Sequence, residues 1–206
     1  MNGLDVYRPG QFRRLLVQDD TELARVVDEL EQSEAIGVDL EMGQRAERKA
    51  GGYQEWVHIL ALIQIASPEL SVAIDPLRIS KLQLLAPLMG GPVRKVFLGG
   101  GQDASLLERS GIPARSIVDV GEVALAIFGR REDGMAALAH RVFGISLDKT
   151  VRRADWLVRP INPVLLAYAH RDAELTLLLF RWFEREYPEV VKYHERYELD
   201  PQLPAR

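Results

Sequence analysis

Apolar side chains recur along this chain at two spacings, and the changeover between them lays out the elements. Leu23, Val26, Val27 and Leu30 fall three and four apart, which predicts an amphipathic helix from Thr21, with Asp20 or Thr21 as its cap. Ahead of it, residues 11–17 have the makeup of a short strand. Residues 35–41 switch to a period of two: Ile36, Val38 and Leu40 face one way, Asp39 and Glu41 the other. Residues 42–53 break the pattern, and Arg45, Arg48, Lys49 and the Gly51-Gly52 pair predict a mobile basic loop.

Apolar runs at 60–66 and 71–75, parted by Ser67-Pro68, predict a hairpin. Helical spacing returns at 80–89, a strand at 94–98, three glycines at 99–101, and a helix at 102–110 that Gly111 stops. A short strand at 117–120 precedes helical patterns at 121–128 and 134–143. Residues 147–160 are basic and irregular around Trp156. Asn162 and Pro163 then open the longest helix, whose apolar stripe runs to Trp182. A polar helix at 187–197 and a loose tail complete the chain. Strands followed by alternating helices and strands imply an α/β layer fold with a mixed sheet.

A length of 206 residues suits one domain spanning 1–206, with a core at about 20–185 and a helix and tail at 186–206. The absence of cysteine excludes disulfides and thiolate zinc sites, so a metal here would take oxygen or histidine ligands; 30 acids against four histidines favour oxygen. No apolar run approaches membrane-spanning length and no secretory pattern opens the chain, so the expected location is cytoplasmic, with no membrane partner. The net charge of −4 argues mildly against a general nucleic-acid binder, although phosphate contact depends on a local basic patch.

Two neighbouring carboxylates at a strand end raise each other's pKa unless a cation or proton lies between them, so Asp39 and Glu41 ask for a neutralising partner. Asp103 begins a helix just after a strand and the glycines, a junction where open α/β sheets present functional groups; a plain helix cap is the alternative. Tyr168 and Asp172 lie four apart on the long helix and share a face, as half-buried structural pairs also do. Trp156 reads as a packing anchor and His170 as structural. The glycines at 99–101 lack the spacing of a dinucleotide-binding loop.

Val38-Asp39-Leu40-Glu41, the Lys95-Val96-Phe97 strand leading to Gln102-Asp103, and Tyr168-Ala169-His170-Arg171-Asp172 resemble the three motifs of the DEDD exonuclease superfamily, in its tyrosine-bearing branch. Leu147-Asp148-Lys149-Thr150, Asp155-Trp156 and Arg159-Pro160 resemble the stretch before the third motif in ribonuclease D-like proteins, and Leu62-Ile63-Gln64-Ile65 resembles their second strand. The resemblance implies an RNase H-like (DnaQ-like exonuclease) fold, with a mixed five-stranded sheet flanked by helices. It also implies hydrolysis of single-stranded or 3′-overhanging nucleic acid from the 3′ end, RNA favoured over DNA, releasing nucleoside 5′-monophosphates.

By the same resemblance, two divalent ions, Mg²⁺ or Mn²⁺, would be held by Asp39, Glu41, Asp103 and Asp172, with Asp39 bridging them and Tyr168 orienting the attacking water. A DNA exonuclease of this branch and a non-catalytic nucleic-acid-binding module are the alternatives. Leu98 stands where the family's second motif often has histidine, and the stretch after Glu41 exceeds the short ribonuclease D connection. Arg45, Arg48 and Lys49, and separately Lys149, Arg152, Arg153 and Arg159, are candidates for phosphate contact.

Overall fold

The structure, a computed structural model, describes residues 7, 8, 10–132, 134–147 and 154–199. Its centre is a mixed sheet of β1 (Arg13–Val17), β2 (Ala35–Arg48), β3 (Gln54–Ala66), β4 (Leu70–Ile74), β5 (Arg94–Phe97) and β6 (Ile117–Asp119), in the order β1-β4-β3-β2-β5-β6. β2, β3 and β4 form an antiparallel meander, while β1 adds parallel to β4 and β5 and β6 add in parallel beyond β2. The sheet therefore has six strands where the resemblance implied five, because 13–17 joins the edge.

Helix α1 (Asp20–Leu30) buries Leu23, Val26, Val27 and Leu30, the residues that its spacing selected. Its cap is Asp19, whose side chain accepts from the Glu22 amide, while Asp20 instead holds Ser80 and Lys81. The helix expected at 80–89 is a 3₁₀ turn, Leu82–Leu85, running into the short α2 (Ala86–Gly90), with Pro87 in its first turn. Helices α3 (Gly101–Arg109), α4 (Val120–Phe128), α5 (Met135–Phe143), α6 (Pro163–Glu186) and α7 (Pro188–Leu199) complete the described elements. None of the described helices is long and apolar enough to cross a membrane.

The basic loop expected at 42–53 is a correction. β2 runs on to Arg48 and pairs with residues 54–60, so only the stretch around Gly51 and Gly52, both with positive φ, is a turn. Beyond the core both faces of this ribbon meet solvent, so the sequence carries no apolar alternation there to betray it.

α6 lies across the sheet, and its seat is specific. Gly37 in β2 leaves room for its backbone: a Cβ at Gly37 would stand 2.3 Å from the Ala173 carbonyl oxygen. Arg14 on β1 forks onto the wholly buried Glu174 at 2.7 and 2.6 Å, and Ser71 Oγ on β4 bonds His170 Nδ1 at 2.8 Å. Burial, aided by the Arg14 charge, pushes His170 down to about 4, so the ring is neutral at physiological pH.

Candidate active site

Three elements converge on one cleft. β2 brings Asp39 and Glu41 to the face on which α6 rests, because odd-numbered residues of this strand share the side of Gly37. α6 brings Tyr168 and Asp172, both buried and one turn apart. The turn after β5 brings Leu98 and Gly99 to the cleft and leads to Asp103 in the first turn of α3; Asp103 is not among the residues lining the cleft. Asp39, Glu41, Tyr168 and Asp172 line an open cleft of about 500 Å³ with Leu98, Gly99 and Met135 on its wall.

The charges of the acids act on one another. Asp39 is held well above the usual carboxylate range, first by burial and then by the charges of Asp172, Glu41 and Asp103. Asp103 is pushed up to about 6 by burial and by Asp119. Arg171 supplies a fixed positive charge at the rim: its guanidinium carbon stands 5.2 Å from the Tyr168 ring centroid, and its Nε 3.8 Å from Asp172 Oδ1.

The turn that delivers Asp103 is built rather than loose. Asp119, at the end of β6, accepts from the Gly99 and Gly100 amides at 2.9 Å and from Gly121 at 2.8 Å, so it caps α4 and pins the glycines together. A Cβ at Gly100 would stand 2.2 Å from that of Phe97. Asp103 itself is not a cap, since the N-cap of α3 is Gly100.

The basic candidates separate. Arg45 and Lys49 lie near Glu47 at 3.7 and 3.3 Å, and Lys49 also meets Glu55, so the ribbon is a mixed-charge surface; Arg48 is exposed and has no ion pair among the described residues. Arg159 is a correction: it points inward to Asp75 with its side chain only 12% exposed, leaving no free donor face for phosphate. Lys149, Arg152 and Arg153 lie outside the described residues. Trp156 is 4% exposed, with its ring centroid 6.3 Å from that of Tyr168, a packing role.

Sequence reasoning missed Asp119, Arg171 and the Arg14–Glu174 pair. Asp119 stood at a strand-to-helix junction where a cap is expected, and Glu174 interrupted an apolar stripe, a sign of a buried charge with a partner.

The donor set is all oxygen, and each acid raises the cost of ionising Asp39, so a divalent cation is the group these residues fit. Among the described residues no three acids or histidines are already drawn into a closed cage. An open cleft in which carboxylates repel one another has that form, since water and a phosphate oxygen would complete the coordination.

The chain belongs to the 3′-5′ exonuclease family, whose profile matches residues 15–188. Ribonuclease D of Haemophilus influenzae is 28% identical over 181 residues, which make up 86% of this chain and 43% of that protein, so the chain spans less than half of it. The catalytic core of RRP6 from Trypanosoma brucei superposes with a TM-score of 0.81 at 20% identity, covering 95% of this chain and 54% of that one. Trypanosoma brucei ribonuclease D in complex with RNA U12 superposes with a TM-score of 0.74 at 22% identity, covering 90% and 68%. The fold is that of the RNase H-like exonuclease cores.

Proposed function

We propose that the chain is a metal-dependent 3′-5′ exoribonuclease, releasing nucleoside 5′-monophosphates from the 3′ end of single-stranded or 3′-overhanging RNA, as in the RNA or tRNA processing of ribonuclease D-like enzymes. The observation that carries it is the meeting of Asp39, Glu41, Asp172 and Tyr168 in one cleft, with the charge of Asp103 felt at Asp39. The similarity to ribonuclease D of Haemophilus influenzae and the likeness to a ribonuclease D in complex with RNA support RNA as the substrate.

Asp39, Glu41, Asp103 and Asp172 would hold two Mg²⁺ or Mn²⁺ ions beside the attacking water. When bound, the ions lower the pKa of that water and neutralise charge on the phosphate and the leaving 3′ oxygen. Tyr168 orients the water through its hydroxyl, a positional role. Arg171 holds a positive charge beside Asp172, and Leu98 gives the wall an apolar surface where the family often has histidine. Arg48 is the ribbon residue left to meet a phosphate.

The test is a degradation ladder on 5′-labelled RNA and DNA of one sequence, with Mg²⁺, Mn²⁺ or chelator, beside Asp39→Ala. Metal-dependent shortening from the 3′ end, faster on RNA and lost in the variant, is expected. Faster loss of DNA moves the assignment to a DNA exonuclease. Bound but intact substrate with either metal overturns catalysis in favour of a binding module.

A further inference from the structure

A buried carboxamide that bonds to nothing is costly and calls for a reason. Gln64 in β3 has no exposed surface, and neither its Oε1 nor its Nε2 has a hydrogen-bond partner among the described residues.

Its register supplies the reason. Gln64 stands directly opposite Asp39 across the β2–β3 ladder, with Ala73 of β4 on its other side. Directly opposed residues share a face, with Cβ atoms about 4.5–5.5 Å apart. The carboxamide therefore sits under α6 beside an acid of the proposed two-ion site. The neighbouring rows on this face hold Leu62 opposite Glu41, and Ala66 between Gly37 and Ser71. Ser71 is already bonded to His170, so the carboxylate in the same row as Gln64 is the acceptor its position favours.

We propose that Gln64 is a positioning residue for the two-ion site, its Nε2–H donating to the Asp39 carboxylate when divalent cations are bound and so fixing that carboxylate's orientation. This rests on the two-ion reading above. Carboxylates that ligate metals are themselves held by hydrogen bonds, and loss of such a partner typically weakens metal binding 10–100-fold.

The test compares the parent with Gln64→Met, which keeps an unbranched side chain of similar reach without the amide. Two measurements are made: Mn²⁺ affinity by titration calorimetry, and thermal unfolding in chelator. The expected result is Mn²⁺ binding about 10–100-fold weaker, with an unfolding temperature in chelator at or above the parent's. Gln64→Asn, one methylene short, is expected to bind Mn²⁺ as weakly. Mn²⁺ affinity within twofold of the parent in Gln64→Met overturns the proposal, as does a lower unfolding temperature in chelator, which would show the amide already satisfied. A parent that binds no Mn²⁺ overturns the two-ion reading and this inference with it, whereas equal binding by parent and variant overturns this inference alone.

Discussion

Arg159 holds Asp75 with two limbs of its guanidinium, Nε and Nη2 lying 2.8 and 2.9 Å from the two carboxylate oxygens. Its remaining bonds reach the carbonyls of Ala61 at 2.7 Å, Trp156 at 2.6 Å and Val158 at 3.0 Å. Ala61 is the extra residue of β3 where the ladder shifts between Glu41 and Met42, and Trp156 packs against Tyr168. One cation thus ties the strand beside Glu41 to the loop that supports Tyr168.

The expected consequence is that Arg159→Ala is severe for the fold. Asp75 has no exposed surface, and its Gln18 and Leu77 contacts are single hydrogen bonds, so removing the cation strands a buried charge. A loss of about 3–5 kcal/mol is expected, measured by urea unfolding, with Arg159→Lys intermediate because it keeps the charge and loses the fork. In folded Arg159→Lys the slope of log affinity against log salt for RNA is expected to match the parent's; a shallower slope would mean that Arg159 meets phosphate after all.

Gly37 leads to a second expectation. The Ala173 carbonyl would lie 2.3 Å from a Cβ there and the Leu177 amide 2.8 Å, both backbone atoms of a helix that cannot give way locally. Gly37→Ala must therefore push α6 away from β2, carrying Asp172 from Asp39. A destabilisation of about 1–3 kcal/mol is expected, together with a loss of activity larger than that destabilisation explains. Assays well below the unfolding temperature separate the two, since full activity in folded variant would show that α6 is not seated by this contact.

Which features the sequence could reveal follows from the range of the interactions. Leu23, Val26, Val27 and Leu30 announce α1 because helical burial is periodic over a few residues, and Asn162-Pro163 announces α6 because capping is local. The candidate acids were legible through motif order. Arg159 was not: a cation in an irregular basic stretch reads as surface, and its partner Asp75 is 84 residues away. The ribbon of β2 and β3 was equally hidden, since backbone pairing between two solvated strands leaves no hydrophobic signature. Gln64 was legible as a polar residue in an apolar run and as part of a strand resembling that of ribonuclease D-like proteins, but its partner depends on the register that sets it against Asp39.

The raised acids give a prediction with a definite sign. A carboxyl whose folded-state pKa lies above its unfolded value contributes stability that is fully present below the unfolded value, about 3.8, and is lost as pH rises through the folded value. Ionisation of Asp39 therefore destabilises the metal-free protein as pH climbs. His170, depressed to about 4, acts oppositely between there and its ordinary 6.5, and Lys95, depressed to about 8 by burial, adds stability only above that. The parent's own profile mixes these contributions, so the informative quantity is a difference. In chelator, the unfolding temperature of Asp39→Asn minus that of the parent is expected to be near zero at pH 4 and positive by pH 8. Mg²⁺ at about 100 times its dissociation constant is expected to raise the parent by about 5–10 °C and leave the variant nearly unmoved, with exonuclease activity abolished. A variant less stable than the parent at pH 8 in chelator would mean that the Asp39 carboxylate is already compensated within the protein, and that the acids need no cation to coexist.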